Sequence, residues 1–296
     1  MKRRSLLRPP RRCEVLAERL RDDPEGRFKV VRNLETGLIQ LHPLPTREED
    51  ARFYAQDRQV KAVFGHADLA RLDSHFRPDK ERQLELIKLH RPPPARLLDV
   101  GCGYGLSLTL AQQAGYQATG TDLPGERLEA ARARGVRVLA GDLVKGNPLP
   151  PGETFDVVLL SHVLEHVLEP ERFLGRLRAW LDRDGLLVIE LPNAADQMLA
   201  NCEAYRRFFW QRAHLAYYTP QTLGLVIQGA GYERFQILGR QRYSIASVWR
   251  WLETGRPGLG DPLYVAPEAF RWLDGIFRRD AEARLCSDAL VALVQA

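Results

Sequence analysis

The chain has 296 residues, of which 45% are hydrophobic and 27% are charged, so it can bury a sizeable core and is not a disordered chain. Its formal charge of +5 comes from basic residues crowded into the first twelve positions, and the nearly neutral remainder predicts no nucleic-acid partner. No apolar stretch approaches the ~18 residues of a membrane span and no signal-peptide core follows the basic start, so we expect a cytoplasmic protein without a membrane partner.

Residues 1–90 predict a small amino-terminal appendage that ends in helices able to act as a lid. A turn at Glu35–Gly37 leads into a short predicted strand, Leu38–Leu41. Thr46 can cap a helix that runs to about Asp57. The apolar spacing then predicts a second helix over Asp79–His90, which three consecutive prolines end.

Residues 91–239 change in character, because short apolar runs alternate with helical segments in the manner of a buried parallel sheet built from βα units. The predicted strands, including one near the end of the chain, are Arg96–Val100, Gln117–Asp122, Val136–Ala140, Phe155–Ser161, Gly185–Leu191, Phe235–Leu238 and Ala289–Val294. The predicted helices are Leu106–Ala114, Gly125–Arg134, Pro170–Leu181 and one that begins at Pro220. Residues 240–285 predict an insertion of two helices, and residues 286–296 return to the core sheet as its last strand.

A glycine-rich turn follows the first predicted strand of this core and opens directly into a helix. Gly101, Gly103 and Gly105 follow Asp99, and glycines there allow unusual backbone angles and let a ligand approach the main chain. A nicotinamide-binding turn would need its third glycine at position 106, which is Leu106. The dinucleotide fingerprint is therefore excluded.

Two acids end the next two predicted strands. Asp122 can accept hydrogen bonds from both hydroxyls of a ribose, and Asp142 can bond the exocyclic amine of an adenine. Because the carboxyl ends of parallel strands meet at one edge of a sheet, we expect three strand ends to face one nucleoside.

Together with the run Phe155–His166, these motifs resemble the class I S-adenosylmethionine-dependent methyltransferases over roughly residues 90 to 240. The resemblance implies a Rossmann-like α/β fold, with a seven-stranded, mostly parallel sheet, helices on both faces and one antiparallel strand supplied by the end of the chain. It also implies a methyltransferase enzyme with S-adenosyl-L-methionine as its cofactor. The implied cofactor-binding residues are Asp99, Gly101, Gly103, Gly105, Asp122, Leu123, Asp142, Leu143, Ser161 and His162.

Outside the core, the chain resembles bacterial small-molecule and sugar methyltransferases that begin with a cysteine-rich zinc ribbon. Asn33 and Thr36 stand where that ribbon has thiolates, and the four cysteines of this chain are isolated along the sequence. We therefore expect an appendage of similar course that binds no metal.

The segment His162–His166 reads H-x-x-E-H, a pattern in which two imidazoles bind zinc and the glutamate activates water. A zinc metallohydrolase using His162, Glu165 and His166 is therefore an alternative, and it requires a helix through all five residues. A regulatory protein that binds the cofactor without transferring methyl is a second alternative. In the methyltransferase interpretation the segment is the exit of a strand, and Ser161 and His162 lie beside the methionine part of the cofactor.

Three residues are predicted to be catalytic. His214 is the first candidate for a general base and His166 is the second, because a neutral imidazole can take a proton from a hydroxyl near pH 7. Tyr218 is predicted to contact the acceptor. The segment His214–Tyr218 and the helix that carries Phe53 and Tyr54 are expected to close over the acceptor pocket and exclude water.

The expected partner is a small-molecule acceptor, such as a sugar or a secondary-metabolite intermediate. Arg242, Arg278 and Arg279 permit an anionic acceptor, for example a phosphorylated or nucleotide-linked sugar. The sequence is compatible with methylation of an oxygen, a nitrogen or a carbon atom.

Overall fold

The computed structural model describes residues 5–55, 69–142, 146, 149–256 and 264–296. A four-stranded sheet is built from β1 Cys13–Ala17, β2 Lys29–Asn33, β3 Ile39–His42 and β9 Ala216–Tyr217. Its order is β1-β2-β3-β9, and each neighbouring pair is antiparallel. β3 confirms the strand predicted after the turn at Gly37, whereas the two-residue strand β9 was not predicted.

A second sheet has seven strands, which are β4 Arg96–Val100, β5 Gln117–Asp122, β6 Arg137–Ala140, β7 Phe155–Ser161, β8 Leu181–Pro192, β10 Phe235–Arg240 and β11 Ala289–Gln295. Its order is β10-β11-β8-β7-β4-β5-β6, and the four pairs from β8 to β6 are parallel. β4 and β7 are buried along most of their length, which explains their continuous apolar runs. The Rossmann-like, mostly parallel seven-stranded sheet is confirmed.

The described helices are α1 Arg47–Ala55, α2 Leu69–His90, α3 Leu106–Gln113, α4 Glu126–Ala133, α5 Pro170–Leu177, α6 Gln197–Asn201, α7 Glu203–Phe209, α8 Pro220–Gly229, α9 Ile245–Thr254 and α10 Arg271–Ala283.

The predicted start of α2 at Asp79 is wrong, because the helix begins at Leu69 and contains Pro78. A proline removes one intrahelical hydrogen bond, yet α2 continues through Pro78. The predicted end of α1 at Asp57 lies outside the described residues, as does the Tyr54 side chain.

The chain divides into two compact units. The first contains the described residues of Met1–Leu72, Pro192–Leu225 and Leu238–Leu290, and the second contains those of Asp73–Leu191, Val226–Ile237 and Val291–Ala296. We call the first the aromatic unit and the second the parallel unit, after their cores. No helix in the described part of the chain has both the length and the apolar character needed to cross a bilayer.

Each unit has its own core. In the aromatic unit, rings pack edge to face, with centroids 5.4 Å apart for Tyr205 and Trp251 and 4.7 Å apart for Trp210 and Tyr217. In the parallel unit, the core lies along the inner strands, where the fully buried side chains include Leu97, Leu98, Val157, Val158 and Leu187. Full burial of such a side chain contributes about 1.5–3 kcal/mol, so this core can hold the strand ends rigidly in place.

Candidate active site

The glycine turn connects β4 to α3 in the parallel unit. Gly101, Gly103 and Gly105 have φ angles of +74°, +54° and +80°, in the left-handed region that side chains disfavour. The carbonyl oxygen of Thr121 accepts from the N–H groups of Gly101 and Cys102 at 2.7 and 3.1 Å. These bonds tie the turn to the end of β5.

The space around the three glycines distinguishes their roles. A Cβ on Gly101 would lie 2.7 Å from Val163 Cγ2, and one on Gly105 would lie 2.9 Å from Ala131 Cβ, so protein packing occupies both places. A Cβ on Gly103 would meet no atom of the described residues within 4 Å. The main chain is therefore open to a ligand at Gly103, as a cofactor-binding turn requires.

Asp122 ends β5, and two main-chain N–H groups fix its carboxylate. Gly103 N–H donates to Oδ2 at 2.6 Å and Leu123 N–H donates to Oδ1 at 2.7 Å. Each carboxylate oxygen has two lone pairs, so this carboxylate has the capacity to accept from ribose hydroxyls as well. Leu123 is 41% exposed and offers an apolar surface beside it. The donor and acceptor set fits the nucleoside part of S-adenosylmethionine.

Asp142 follows β6 at the same edge of the sheet. Gly141 N–H donates to the carbonyl oxygen of Asp122 at 2.9 Å, which joins the ends of β5 and β6. The carbonyl oxygen of Asp142 accepts from Gly146 N–H at 2.8 Å. Leu143, the neighbouring predicted cofactor residue, lies outside the described residues.

Asp99 lies in the interior immediately before the glycine turn. It is buried, and burial raises the pKa of its carboxyl to about 7; the ammonium group of Lys80 opposes this shift and Asp122 adds to it. Burial also raises the pKa of the Cys102 thiol, so Cys102 is not a nucleophile near neutral pH. Asp99 thus changes its charge near neutral pH, at the base of the turn.

Ser161 ends β7, and two side chains of α2 that were not predicted as site residues bind its hydroxyl. Lys80 Nζ donates to Ser161 Oγ at 2.7 Å, and Gln83 Nε2 donates to it at 3.1 Å. Gln83 Nε2 also donates to Glu190 Oε2 at 2.7 Å. The sequence contains a sign of this contact. Lys80 and Gln83 are polar residues on the face of α2 that buries Ile87, where apolar residues were expected.

The segment after Ser161 leaves the strand in a way that the zinc-peptidase pattern does not allow. His162 has a left-handed backbone with φ +57°, and its N–H donates to the carbonyl oxygen of Glu190 at 2.8 Å. Helical structure covers only Leu164–His166, as a single 3₁₀ turn. The helix through all five residues that a zinc metallohydrolase needs is absent from this described segment, and the segment is the predicted strand exit.

Two buried carboxylates flank the imidazole of His162. Glu165 Oε1 lies 3.2 Å from His162 Nδ1, and Glu190 Oε1 lies 3.9 Å from His162 Nε2. Glu165 and Glu190 are 1% and 0% exposed. His166 Nε2 lies 4.0 Å from Glu165 Oε1. Buried carboxylates thus lie near both ring nitrogens of His162 and orient the imidazole at the strand exit.

His214 and Tyr218, the other predicted catalytic residues, belong to the aromatic unit. His214 is buried, its ring centroid lies 5.4 Å from that of Tyr217, and its Nε2 lies 2.9 Å from Gln211 Nε2. Tyr218 is fully buried, and its carbonyl oxygen accepts from Ala194 N–H at 2.8 Å. Their catalytic roles stay predictions.

Two of the arginines that permit an anionic acceptor are held by protein groups. Arg242 donates through its main-chain N–H and Nε to Asp288, at 2.6 and 3.2 Å. Arg278 donates to Asp274 at 2.7 Å and to main-chain carbonyl oxygens. Both have a structural role in the aromatic unit, so the exposed Arg279 is the remaining support for an anionic acceptor.

The turn at the expected position of the zinc-ribbon thiolates is closed by hydrogen bonds. Asn33 Oδ1 accepts from Glu35 N–H at 2.9 Å, and Thr36 Oγ1 accepts from Leu38 N–H at 3.3 Å. The carbonyl oxygen of Asn33 accepts from Gly37 N–H at 2.8 Å. Local side-chain to main-chain bonds therefore shape this turn.

The parallel unit brings together the glycine turn, Asp99, Asp122, Asp142, Ser161 and His162 at the carboxyl ends of its strands. This is the arrangement of α/β enzymes that bind a nucleoside-containing cofactor at strand ends. A family model described as a methyltransferase domain matches residues 72–237. The chain belongs to this methyltransferase domain family. The resemblance to the class I S-adenosylmethionine-dependent methyltransferases is confirmed, and with it the enzyme class and the cofactor.

Curated relatives match part of the chain. A ubiquinone biosynthesis O-methyltransferase of Bradyrhizobium sp. (strain ORS 278) is 35% identical over 101 residues, which are 33% of this chain and 40% of that protein. A protein of the same name from Rhodopseudomonas palustris (strain BisB5) is 29% identical over 164 residues, which are 52% of this chain and 65% of that protein. The match thus spans less than two thirds of either relative.

Solved structures share the fold. A SAM-dependent methyltransferase from Archaeoglobus fulgidus superposes with a TM-score of 0.53 at 21% identity, covering 77% of this chain and all of that one. A Burkholderia thailandensis 1,6-didemethyltoxoflavin-N1-methyltransferase, with bound 1,6-didemethyltoxoflavin and S-adenosylhomocysteine, has a TM-score of 0.53 at 18% identity and covers 94% of this chain and 99% of that one. At these identities the likeness concerns the fold alone.

Proposed function

We propose that this protein transfers the methyl group of S-adenosylmethionine to a hydroxyl group of a small-molecule acceptor. Family membership and relatives named as O-methyltransferases support this proposal. The observation that carries it is the carboxylate of Asp122, which Gly103 and Leu123 hold at the end of β5 beside an open main chain.

On the cofactor side, Asp122 binds the two ribose hydroxyls and Asp142 binds the adenine amine. The backbone at Gly103 lets the cofactor lie against the turn without a Cβ between them. Lys80, 2.7 Å from Ser161 Oγ, provides a cation that can pair with the amino-acid carboxylate of the cofactor. When bound, the sulfonium supplies an electrophilic methyl group.

On the acceptor side, methylation of a hydroxyl releases a proton, and the pair of His162 and Glu165 is the proposed base. The Glu165 carboxylate next to Nδ1 favours a proton on that nitrogen, and Nε2, which lies 3.9 Å from Glu190 Oε1, is the atom proposed to take the proton of the hydroxyl. The His162 side chain is 28% exposed, so an acceptor can reach it. General base catalysis of this kind contributes about 10²- to 10⁴-fold in rate.

The chemical class of the acceptor and the residues that act on it are also part of the proposal. The catalytic roles predicted for His166, His214 and Tyr218 are part of the proposal, and a sugar or secondary-metabolite intermediate bearing a hydroxyl fits the predicted class of acceptor. An anionic acceptor is part of the proposal as well, and the exposed Arg279 supports it.

The proposal is tested with S-adenosylmethionine and a panel of candidate acceptors: a catechol-type phenol, a hexose, a hexose phosphate and a primary amine. We expect a methyl ether on a hydroxyl-bearing member, identified by mass spectrometry. Glu165→Gln should lower this turnover, whereas the matched control Glu129→Gln, at a side chain 65% exposed on α4, should not. Methylation of only the amine, or equal effects of the two variants, would contradict the proposed chemistry.

A further inference from the structure

Helix α2 continues through a residue type that usually stands at the start of a helix. Pro78 has no N–H group, so it cannot donate to the carbonyl oxygen of Ser74 as an interior helical residue would. The residues of α2 that precede Pro78 in the parallel unit are Asp73–Arg77. Their helical conformation therefore depends more on tertiary contacts than that of the rest of α2.

A bidentate ion pair supplies one such contact within the parallel unit. Arg134, the residue after α4, donates through Nη1 to Asp73 Oδ2 at 2.7 Å and through Nη2 to Asp73 Oδ1 at 2.8 Å. The two side chains are 17% and 23% exposed, so water screens this pair less than a surface pair. Two parallel charge-assisted bonds fix both the distance and the orientation of the two groups.

The stem of the same arginine lies against the glycine turn. A Cβ on Gly105 would lie 3.5 Å from Arg134 Cδ and 2.9 Å from Ala131 Cβ. The main-chain N–H of Arg134 donates to the carbonyl oxygen of Ala131 at 3.1 Å, which fixes the end of α4. Arg134 thus contacts both the cofactor-binding turn and α2.

Lys80 stands two helical turns after Asp73, on the other side of Pro78. Its Nζ donates to Ser161 Oγ at 2.7 Å, at the end of β7. Seven residues of helix span about 10 Å along the axis, so a continuous α2 sets the distance between Asp73 and Lys80. Loss of helix before Pro78 would leave Lys80 in the first turn of a shortened helix.

We propose that Asp73 and Arg134 are positioning residues for the cofactor. Their ion pair keeps residues 73–77 helical, and the continuous helix holds Lys80 in place for the amino-acid carboxylate of S-adenosylmethionine. The cofactor part of this inference rests on the proposed function, in which Lys80 pairs with that carboxylate. The part that concerns the folding of residues 73–77 does not.

Hydrogen–deuterium exchange of the full chain, measured by mass spectrometry without cofactor, tests the folding part. Asp73→Asn keeps the size of the side chain and removes its charge, so amide protection in fragments that cover residues 73–77 should fall about tenfold. The matched control is Glu85→Gln, which removes an acid that is 67% exposed on the same helix and should leave this protection unchanged. Unchanged protection in Asp73→Asn would overturn the inference.

Two ligands separate the positioning role from a general loosening of the site. S-adenosylhomocysteine carries the amino-acid carboxylate, whereas 5′-methylthioadenosine lacks it. In titration calorimetry, Asp73→Asn and Arg134→Met should each weaken binding of S-adenosylhomocysteine about threefold to tenfold and change binding of 5′-methylthioadenosine by less than about twofold. Arg134→Lys keeps the charge without the fork, so its loss should be smaller. Equal losses for the two ligands, or none, would overturn the positioning role.

The two positioning residues should act as one unit. The double variant of Asp73→Asn with Arg134→Met should bind S-adenosylhomocysteine about as weakly as either single variant, and additive losses would overturn their joint role. Lys80→Met distinguishes this inference from the proposed function. If Lys80→Met binds S-adenosylhomocysteine as tightly as the unmodified protein, the proposed role of Lys80 fails and the cofactor part of the inference fails with it. The exchange measurement decides the folding part independently.

Discussion

Asp122→Ala removes the carboxylate on which the cofactor site is built. In the protein, that carboxylate accepts from the N–H groups of Gly103 and Leu123 at 2.6 and 2.7 Å, and in the complex it would also accept from two ribose hydroxyls. A hydrogen bond to a charged group contributes about 1.5–3 kcal/mol. The loss of two such bonds weakens binding by about 3 kcal/mol or more, which is more than about a hundredfold in the dissociation constant.

The same substitution should affect folding much less than binding. Leu123 is exposed and Gly103 is half-buried, so water can replace the carboxylate at both N–H groups. We therefore expect Asp122→Ala to have a melting temperature close to that of the unmodified protein.

Titration calorimetry with S-adenosylhomocysteine measures the binding. Asp184→Ala is the matched control, because it removes an exposed acid from β8 in the same unit. We expect the control to bind as the unmodified protein does. Asp122→Asn keeps one acceptor oxygen, so its affinity should lie between those of Asp122→Ala and the unmodified protein. A dissociation constant of folded Asp122→Ala within about threefold of the unmodified protein would refute the assignment of Asp122 to the ribose.

Gly105→Ala should lower the melting temperature, because it imposes a φ of +80° on a side chain and places its Cβ 2.9 Å from Ala131 Cβ. Gly103→Ala, at the open position, should melt nearer the unmodified protein yet bind S-adenosylhomocysteine more weakly by calorimetry; the reverse order of stabilities would contradict the steric argument. Burial raises the pKa of Asp99 to about 7, so folding favours its protonated form and the free energy of unfolding should fall as pH rises from about 4 to 7. Urea titrations should show a shallower fall for Asp99→Asn, and an identical slope would contradict this. Glu165→Gln should lower kcat about a hundredfold with cofactor affinity within about threefold, and unchanged kcat would remove the His162 pair as the base.

The strand-end motifs could be predicted from the sequence because each is local. A continuous apolar run identifies the strand, and the glycines or the acid stand immediately after it, as at Gly101–Gly105 and Asp122. Parallel pairing then places these strand ends next to each other without further information.

Other parts of the site depend on contacts that local patterns do not encode. Lys80 and Ser161 are 81 positions apart, and their bond depends on how α2 packs against the strands of the parallel unit. The apolar spacing predicted a helix start at Asp79, whereas α2 begins at Leu69 and continues through Pro78. The two-residue strand β9 is too short for a periodic pattern and exists because β3 offers it an edge.

The left-handed backbone of His162 was equally inaccessible to pattern analysis. Non-glycine residues adopt a positive φ uncommonly, and the H-x-x-E-H spacing suggested a helix in its place. The bond from His162 N–H to the carbonyl oxygen of Glu190, on the neighbouring strand β8, accompanies this conformation. This bond to the neighbouring strand therefore distinguishes a strand exit from a metal-binding helix.

The most direct test of the central claim is transfer of a labelled methyl group. The protein is incubated with S-adenosylmethionine carrying a deuterated methyl group and with a metabolite extract, and the products are examined by mass spectrometry. We predict that a hydroxyl-bearing metabolite gains one labelled methyl as a methyl ether, in step with formation of S-adenosylhomocysteine, and that Asp122→Ala forms far less of it at the same cofactor concentration. Binding of S-adenosylhomocysteine without labelling of any metabolite, or equal labelling by Asp122→Ala, would contradict the account.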